Sequence, residues 1–144
     1  MNSHIEKALR KIEKLVPRKV YKFFQPTYHF VLALVGAIVY RYPARDTHVI
    51  AVTGTKGKST TTEFVNAILE EAGYKTAILS TIRFKIADHN KPNMYKMTMP
   101  GRFFVQKFLR ESVDAGCQYA IVEMTSEGAK MWRHAFTSLN TLIF

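Results

Sequence analysis

Cysteine is nearly absent from this 144-residue chain. Cys117 stands alone, which excludes a disulfide framework and any cysteine-rich zinc site and fits a reducing cytoplasm. Acidic residues are scarce as well: 11 Asp and Glu face 21 Lys and Arg, a net charge of +10. Such a balance suits an anionic partner, whether nucleotide, nucleic acid or acidic surface. No apolar run reaches the roughly 20 residues that cross a bilayer. The longest, Phe30–Tyr40, also lacks the small-residue cleavage site of a signal peptide. No repeat or low-complexity tract is present, and His29, His48, His89 and His134 show no metal-ligand spacing. What remains, 47% hydrophobic and 22% charged residues, is the composition of one ordinary globular domain with a real core.

The charge is uneven. Residues 1–48 hold nine Lys and Arg against three Asp and Glu. Ser3 and Glu6 are spaced as a capping box, and Ile5, Ala8, Leu9, Ile12 and Leu15 recur at helical intervals up to Pro17. The apolar run Phe30–Tyr40 reads as a buried helix packed on the following domain, with a basic membrane-surface hairpin as the other reading. Tyr42–Asp46 marks the boundary between a helical N-terminal segment, 1–46, and a domain over 47–144.

From there strands alternate with helices. Strands are expected at about 48–53, 75–81 and 119–123, with a last buried strand at 139–144. A helix should run from about 58 to 72, where Gly73 is a plausible C′ residue, and another from Pro100 to Gly116 with Phe104, Val105 and Phe108 on one side. Residues 82–96 read as a loose hairpin turning at Asp88-His89-Asn90. This order implies an α/β fold, a P-loop NTPase-like parallel sheet with flanking helices and right-handed crossovers, and ligands at the carboxyl ends of the strands.

The most informative stretch is Val49-Ile50-Ala51-Val52-Thr53-Gly54-Thr55-Lys56-Gly57-Lys58-Ser59-Thr60. An apolar strand enters a glycine-bearing turn and leaves it through Lys-Ser into a helix, an arrangement suited to a nucleoside triphosphate. Gly54 and Gly57 allow the backbone to curl so that successive N–H groups face phosphate oxygens. Lys58 reaches the β- and γ-phosphates, and Ser59 ligates Mg²⁺. The helix adds its free amides and positive dipole end. Gly54, Thr55, Lys56, Gly57, Lys58, Ser59 and Thr60 are therefore the candidate ATP contacts. A plain strand–turn–helix corner would leave Lys-Ser-Thr without a purpose.

The spelling T-G-T-x-G-K-S-T, with a glycine spacing shorter than the general P-loop pattern, resembles the Mur ligases. These are ATP-dependent amide-bond-forming enzymes of peptidoglycan precursor synthesis, and the tripeptide synthetases are the most similar branch. Two further segments match in order. Lys96-Met97-Thr98-Met99-Pro100-Gly101 resembles the family's Thr-Thr-Pro substrate loop, and Ile121-Val122-Glu123-Met124-Thr125-Ser126-Glu127-Gly128 its Glu-Val-Ser-Ser-His segment. The resemblance implies an acyl-phosphate mechanism, with Lys58 and Glu123 as the catalytic pair and Ser59 and Glu123 holding Mg²⁺. It assigns Thr98, Thr125, Ser126 and Arg133 to a UDP-MurNAc-peptide that receives an amino acid, although Arg133 reads equally as a solvent-exposed helix residue. Met99 and Glu127 depart from the family's Thr and His, and Lys56 takes the place of its usual Asn.

Tripeptide synthetases carry a UDP-binding domain ahead of the ATPase domain, where about 46 mainly helical residues stand here. The family also continues beyond the strand that ends at Phe144, so the chain reads as a truncated frame without turnover of its own. Two rivals remain. Folylpolyglutamate synthetases share the chemistry but usually read Gly-Lys-Gly-Ser, whereas Ser59 follows Lys58 directly. A non-catalytic basic nucleotide-binding module lacks any nucleic-acid signature, so no nucleic acid is expected as a partner.

Overall fold

A computed structural model describes residues 18–144 except Lys96, Met131 and Arg133, and leaves aside the side chains of residues 18–26, His29 and Arg102. The capping box at Ser3 and the helix expected up to Pro17 lie outside the described residues.

Six strands form one sheet in the order β4-β3-β2-β5-β1-β6. They are β1 (His48–Val52), β2 (Thr76–Leu79), β3 (Arg83–Ile86), β4 (His89–Pro92), β5 (Tyr119–Glu123) and β6 (Leu139–Ile143). The strands from β2 to β6 in that order run parallel, whereas β3 and β4 are antiparallel additions. The expected parallel sheet is present in β2, β5, β1 and β6, and the 82–96 hairpin folds back onto β2 and widens the same sheet. It turns at Ala87-Asp88, and His89 and Asn90 already pair with β3.

β1, β2 and β5 are buried almost throughout, as apolar strands covered on both faces must be. Their side chains alternate between two layers. Val49, Ala77, Leu79, Ala120 and Val122 pack with Val105, Phe108 and Leu109 of helix α3 (Arg102–Asp114). Ile50, Val52, Ile78 and Ile121 pack with Val65 and Leu69 of helix α2 (Lys58–Glu71). Pro100 stands two residues ahead of α3 rather than opening it, and Gly101 takes the N-cap position. Gly73, at φ 85°, closes α2 as expected.

Two expectations of burial are corrected. β6 pairs with β1 alone, and four of its five residues are exposed because no described element covers it. Helix α1 (Arg18–Val39) does pack on α3, but through a narrow strip of small residues, Ala33, Gly36 and Ala37. A Cβ at Gly36 would already stand 3.6 Å from Gln106 and 3.7 Å from Phe103. The larger side chains Val31, Val35, Ile38 and Val39 face outward. Short helix α4 (Ser126–Lys130) follows β5.

Candidate functional site

Parallel order brings the loops after β1, β2 and β5 to one end of the sheet, where the sequence places its chemistry. The first loop crosses from Thr53 to Gly57 with Gly54 at φ 135° and Gly57 at φ 78°, the left-handed half of conformational space where a side chain is strained. Nothing lies within 4 Å of a Cβ built on Gly57, so backbone shape, not crowding, calls for glycine there. Gly57 is the N-cap of α2 and no side chain caps the helix. The first-turn amides of Lys58, Ser59 and Thr60 are thus left for an anion. Thr55 and Lys56 are exposed at the loop's tip. The Lys58 ammonium donates to the Gly54 carbonyl at 2.9 Å, which holds the cation over the loop.

Glu123 ends β5 beside this loop and is 2% exposed. Its Oε2 accepts from the Ser59 hydroxyl at 3.0 Å and from the Thr81 backbone N–H at 2.8 Å. Thr81 in turn shares a 2.8 Å hydrogen bond between hydroxyls with Thr98. A continuous chain, Ser59–Glu123–Thr81–Thr98, therefore connects the glycine loop to the loop that precedes α3. Two oxygens bound side by side on an octahedral magnesium at about 2.05 Å stand about 2.9 Å apart. The Ser59–Glu123 pair already has that spacing, so this donor set fits the ion.

Thr81 and Asn93 were not singled out from the sequence. Asn93 Nδ2 donates to the carbonyls of Ser80 (2.8 Å) and Met97 (3.0 Å), and its Oδ1 accepts from the Tyr95 N–H at 2.9 Å, stapling the loop that presents Thr98. The signal available for Thr81 was its place just past the apolar run Ala77-Ile78-Leu79, at a carboxyl strand end.

Thr125 and Ser126 follow Glu123 closely. The Thr125 hydroxyl accepts from the Gly128 N–H at 3.1 Å and so caps α4, while Ser126 is exposed. Met99, where the resembling family has Thr, turns inward at 2% exposure. Its sulfur would lie 2.8 Å from a Cβ at position 128, so a side chain there would have to displace the Met99 thioether. Arg133 lies outside the described residues. Cys117 is buried, donates to the Thr76 carbonyl at 3.3 Å, and has its thiol pKa raised by desolvation.

Residues 52–143 match the Mur ligase middle domain. The chain is 35% identical over 121 residues to the UDP-N-acetylmuramyl-tripeptide synthetase of Roseiflexus sp. (strain RS-1), covering 83% of this chain and 24% of that protein. It is 34% identical over 119 residues to the UDP-N-acetylmuramoyl-L-alanyl-D-glutamate–2,6-diaminopimelate ligase of Syntrophomonas wolfei, again covering 83% and 24%. A solved structure of a ligase of the latter name superposes with a TM-score of 0.62 at 22% identity, over 74% of this chain and 22% of that one, a likeness of fold. The chain spans about a quarter of the length of these curated relatives.

Proposed function

We propose, from the premise that this chain belongs to the Mur ligase family, that its protein is an ATP-dependent ligase of peptidoglycan precursor synthesis. In this reading it joins an amino acid to UDP-N-acetylmuramoyl-L-alanyl-D-glutamate in the cytoplasm, and residues 1–46 form a helical segment that precedes the ATP-binding domain. The observation that carries the reading is the hydrogen-bonded chain from Ser59 through Glu123 and Thr81 to Thr98, which couples a phosphate loop to a substrate loop.

The residues divide the work by charge and position. Amides of the 54–60 turn and the Lys58 ammonium bind the triphosphate. Ser59 and Glu123 hold magnesium, which when bound neutralises phosphate charge. Thr98, with Ser126 and Arg133, orients the acceptor carboxylate, and Thr125 holds α4 in place. The γ-phosphoryl group passes to that carboxylate with release of ADP. An incoming amine then displaces phosphate from the acyl phosphate to form the amide. Such transfer depends on alignment and charge neutralisation more than on covalent help from the protein.

The test is to exchange residues 52–143 for their counterpart in the Syntrophomonas wolfei ligase and follow ADP release. Release that requires both the UDP-linked acceptor and an amino acid supports the assignment. A folded chimera that binds ATP but releases no ADP with either diaminopimelate or lysine contradicts it.

A further inference from the structure

The ligase chemistry gives α1 no task, yet α1 carries a stripe of exposed apolar side chains along one face. Val31, Val35, Ile38 and Val39 point away from α3, with Ile38 at 55% and Val39 at 60% exposure. From Val31 to Val39 the sequence contains only Val, Leu, Ala, Gly and Ile, so the stripe offers no side chain that hydrogen-bonds. Aromatic residues border it. Tyr28 is exposed, and Phe30 packs against Trp132 at 5.6 Å between ring centroids and against Phe136 at 5.3 Å.

Charge identifies the occupant. α1 contains no Asp or Glu along its 22 residues, Arg18, Lys19 and Lys22 stand in its first turns, and exposed Arg41 and Arg45 follow its end. Residues 1–48 as a whole carry nine cationic side chains against three acidic ones. A second copy of the chain would bring this surplus against its own sign. An anionic lipid surface matches it, and the aliphatic stripe with tyrosine and tryptophan at its border matches the acyl boundary beneath. No helix among the described residues is long and apolar enough to cross a membrane, so the contact is lateral.

We infer that the outward face of α1 lies on an anionic membrane surface, holding the domain there by an amphipathic helix with cationic ends. α1 packs on α3, whereas the glycine loop leads into α2 in the opposite layer of the sheet. The glycine loop thus belongs to the layer turned away from the docked face.

The 144-residue chain is mixed with vesicles of phosphatidylcholine alone and with vesicles containing about 30% phosphatidylglycerol. Trp132, the sole tryptophan, reports directly because it borders the stripe at 40% exposure. The expected result is cosedimentation and a blue shift of its emission with the anionic vesicles, weakened by salt. Binding should fall at least about tenfold in the Val35→Glu, Ile38→Glu double variant. Both sites are exposed, so the variant should keep the wild-type melting temperature. Equal binding to neutral vesicles, no binding to either, or binding that the double variant retains would overturn the inference. So would a wild-type dimer that the variant dissolves, which would assign the stripe to a second copy.

Discussion

Glu123 is asked to hold a side-chain hydroxyl, a backbone N–H and an ion at once, and substitution separates these tasks. Glu123→Ala removes the acceptor for Ser59 Oγ and Thr81 N–H. Hydrogen bonds to a charged group contribute about 1.5–3 kcal/mol each. Ser59 is only half-buried and Thr81 is exposed, so water replaces much of both, and burying the carboxylate carries its own desolvation cost. The expected net loss is about 1–2 kcal/mol, or a fall in Tm of about 4–8 °C for a domain of this size. Glu123→Gln can keep an amide oxygen where Oε2 stands, accepting from both the Thr81 N–H and the Ser59 hydroxyl. It should recover most of that loss while lacking the charge that a divalent ion needs. Mg·ATP affinity in Glu123→Gln is therefore expected to drop ten- to hundredfold, about 1.4–2.8 kcal/mol. Affinity for ATP in EDTA should be unchanged. Thermal melts and equilibrium titration of a fluorescent ATP analogue, each with and without magnesium, read both effects. A Glu123→Gln protein that binds Mg·ATP like the wild type would refute the role of the carboxylate as a metal ligand. A Glu123→Ala protein with an unchanged Tm would refute the energetic weight given to its two donors.

Three other outcomes follow from the same structure. Gly57→Ala and Gly73→Ala impose similar left-handed strain, at φ 78° and 85°, of about 1–2 kcal/mol each; urea unfolding should show comparable destabilisation, but only Gly57→Ala should weaken ATP binding. Glu70 has its pKa lowered by its hydrogen bond and ion pair with Lys85. A depressed carboxylate pKa stabilises the fold above the unfolded value of about 4.3 and loses that contribution as pH falls through the folded value. Wild type should therefore exceed Glu70→Gln in urea stability at pH 7, by no more than about 1 kcal/mol because Glu70 is 44% exposed, and the difference should shrink as the pH is lowered into the acid range. Buried Cys117, with its raised pKa, should resist a thiol reagent in the folded chain and react fully in denaturant.

Much of the central fold could be read from the chain because β1 and β5 are short apolar runs ending in polar chemistry, and α2 starts where glycine gives way to Lys-Ser. β6 misled because Leu139, Leu142 and Ile143 have the composition of a buried strand, while burial depends on what covers the sheet edge. α1 misled for a related reason. Its apolar residues exceed what a strip of Ala33, Gly36 and Ala37 can seat against α3. At the site, Lys58, Ser59 and Glu123 were legible as residue types at motif spacing. Thr81 and Asn93 were not, since they act through a loop closure joining Ser80 to Met97 and Thr81 to Thr98, which no local periodicity records. Thr125 was legible as a hydroxyl near the site, but its capping of α4 appears only once that helix is formed.

The most direct trial of the account is the affinity of this 144-residue chain for Mg·ATP before and after Lys58→Ala. The turn from Gly54 to Thr60 predicts saturable binding in the wild type and at least a tenfold loss, about 1.4 kcal/mol, in a variant that melts normally. Equal affinity in the two proteins, or no binding by the wild type, would contradict it.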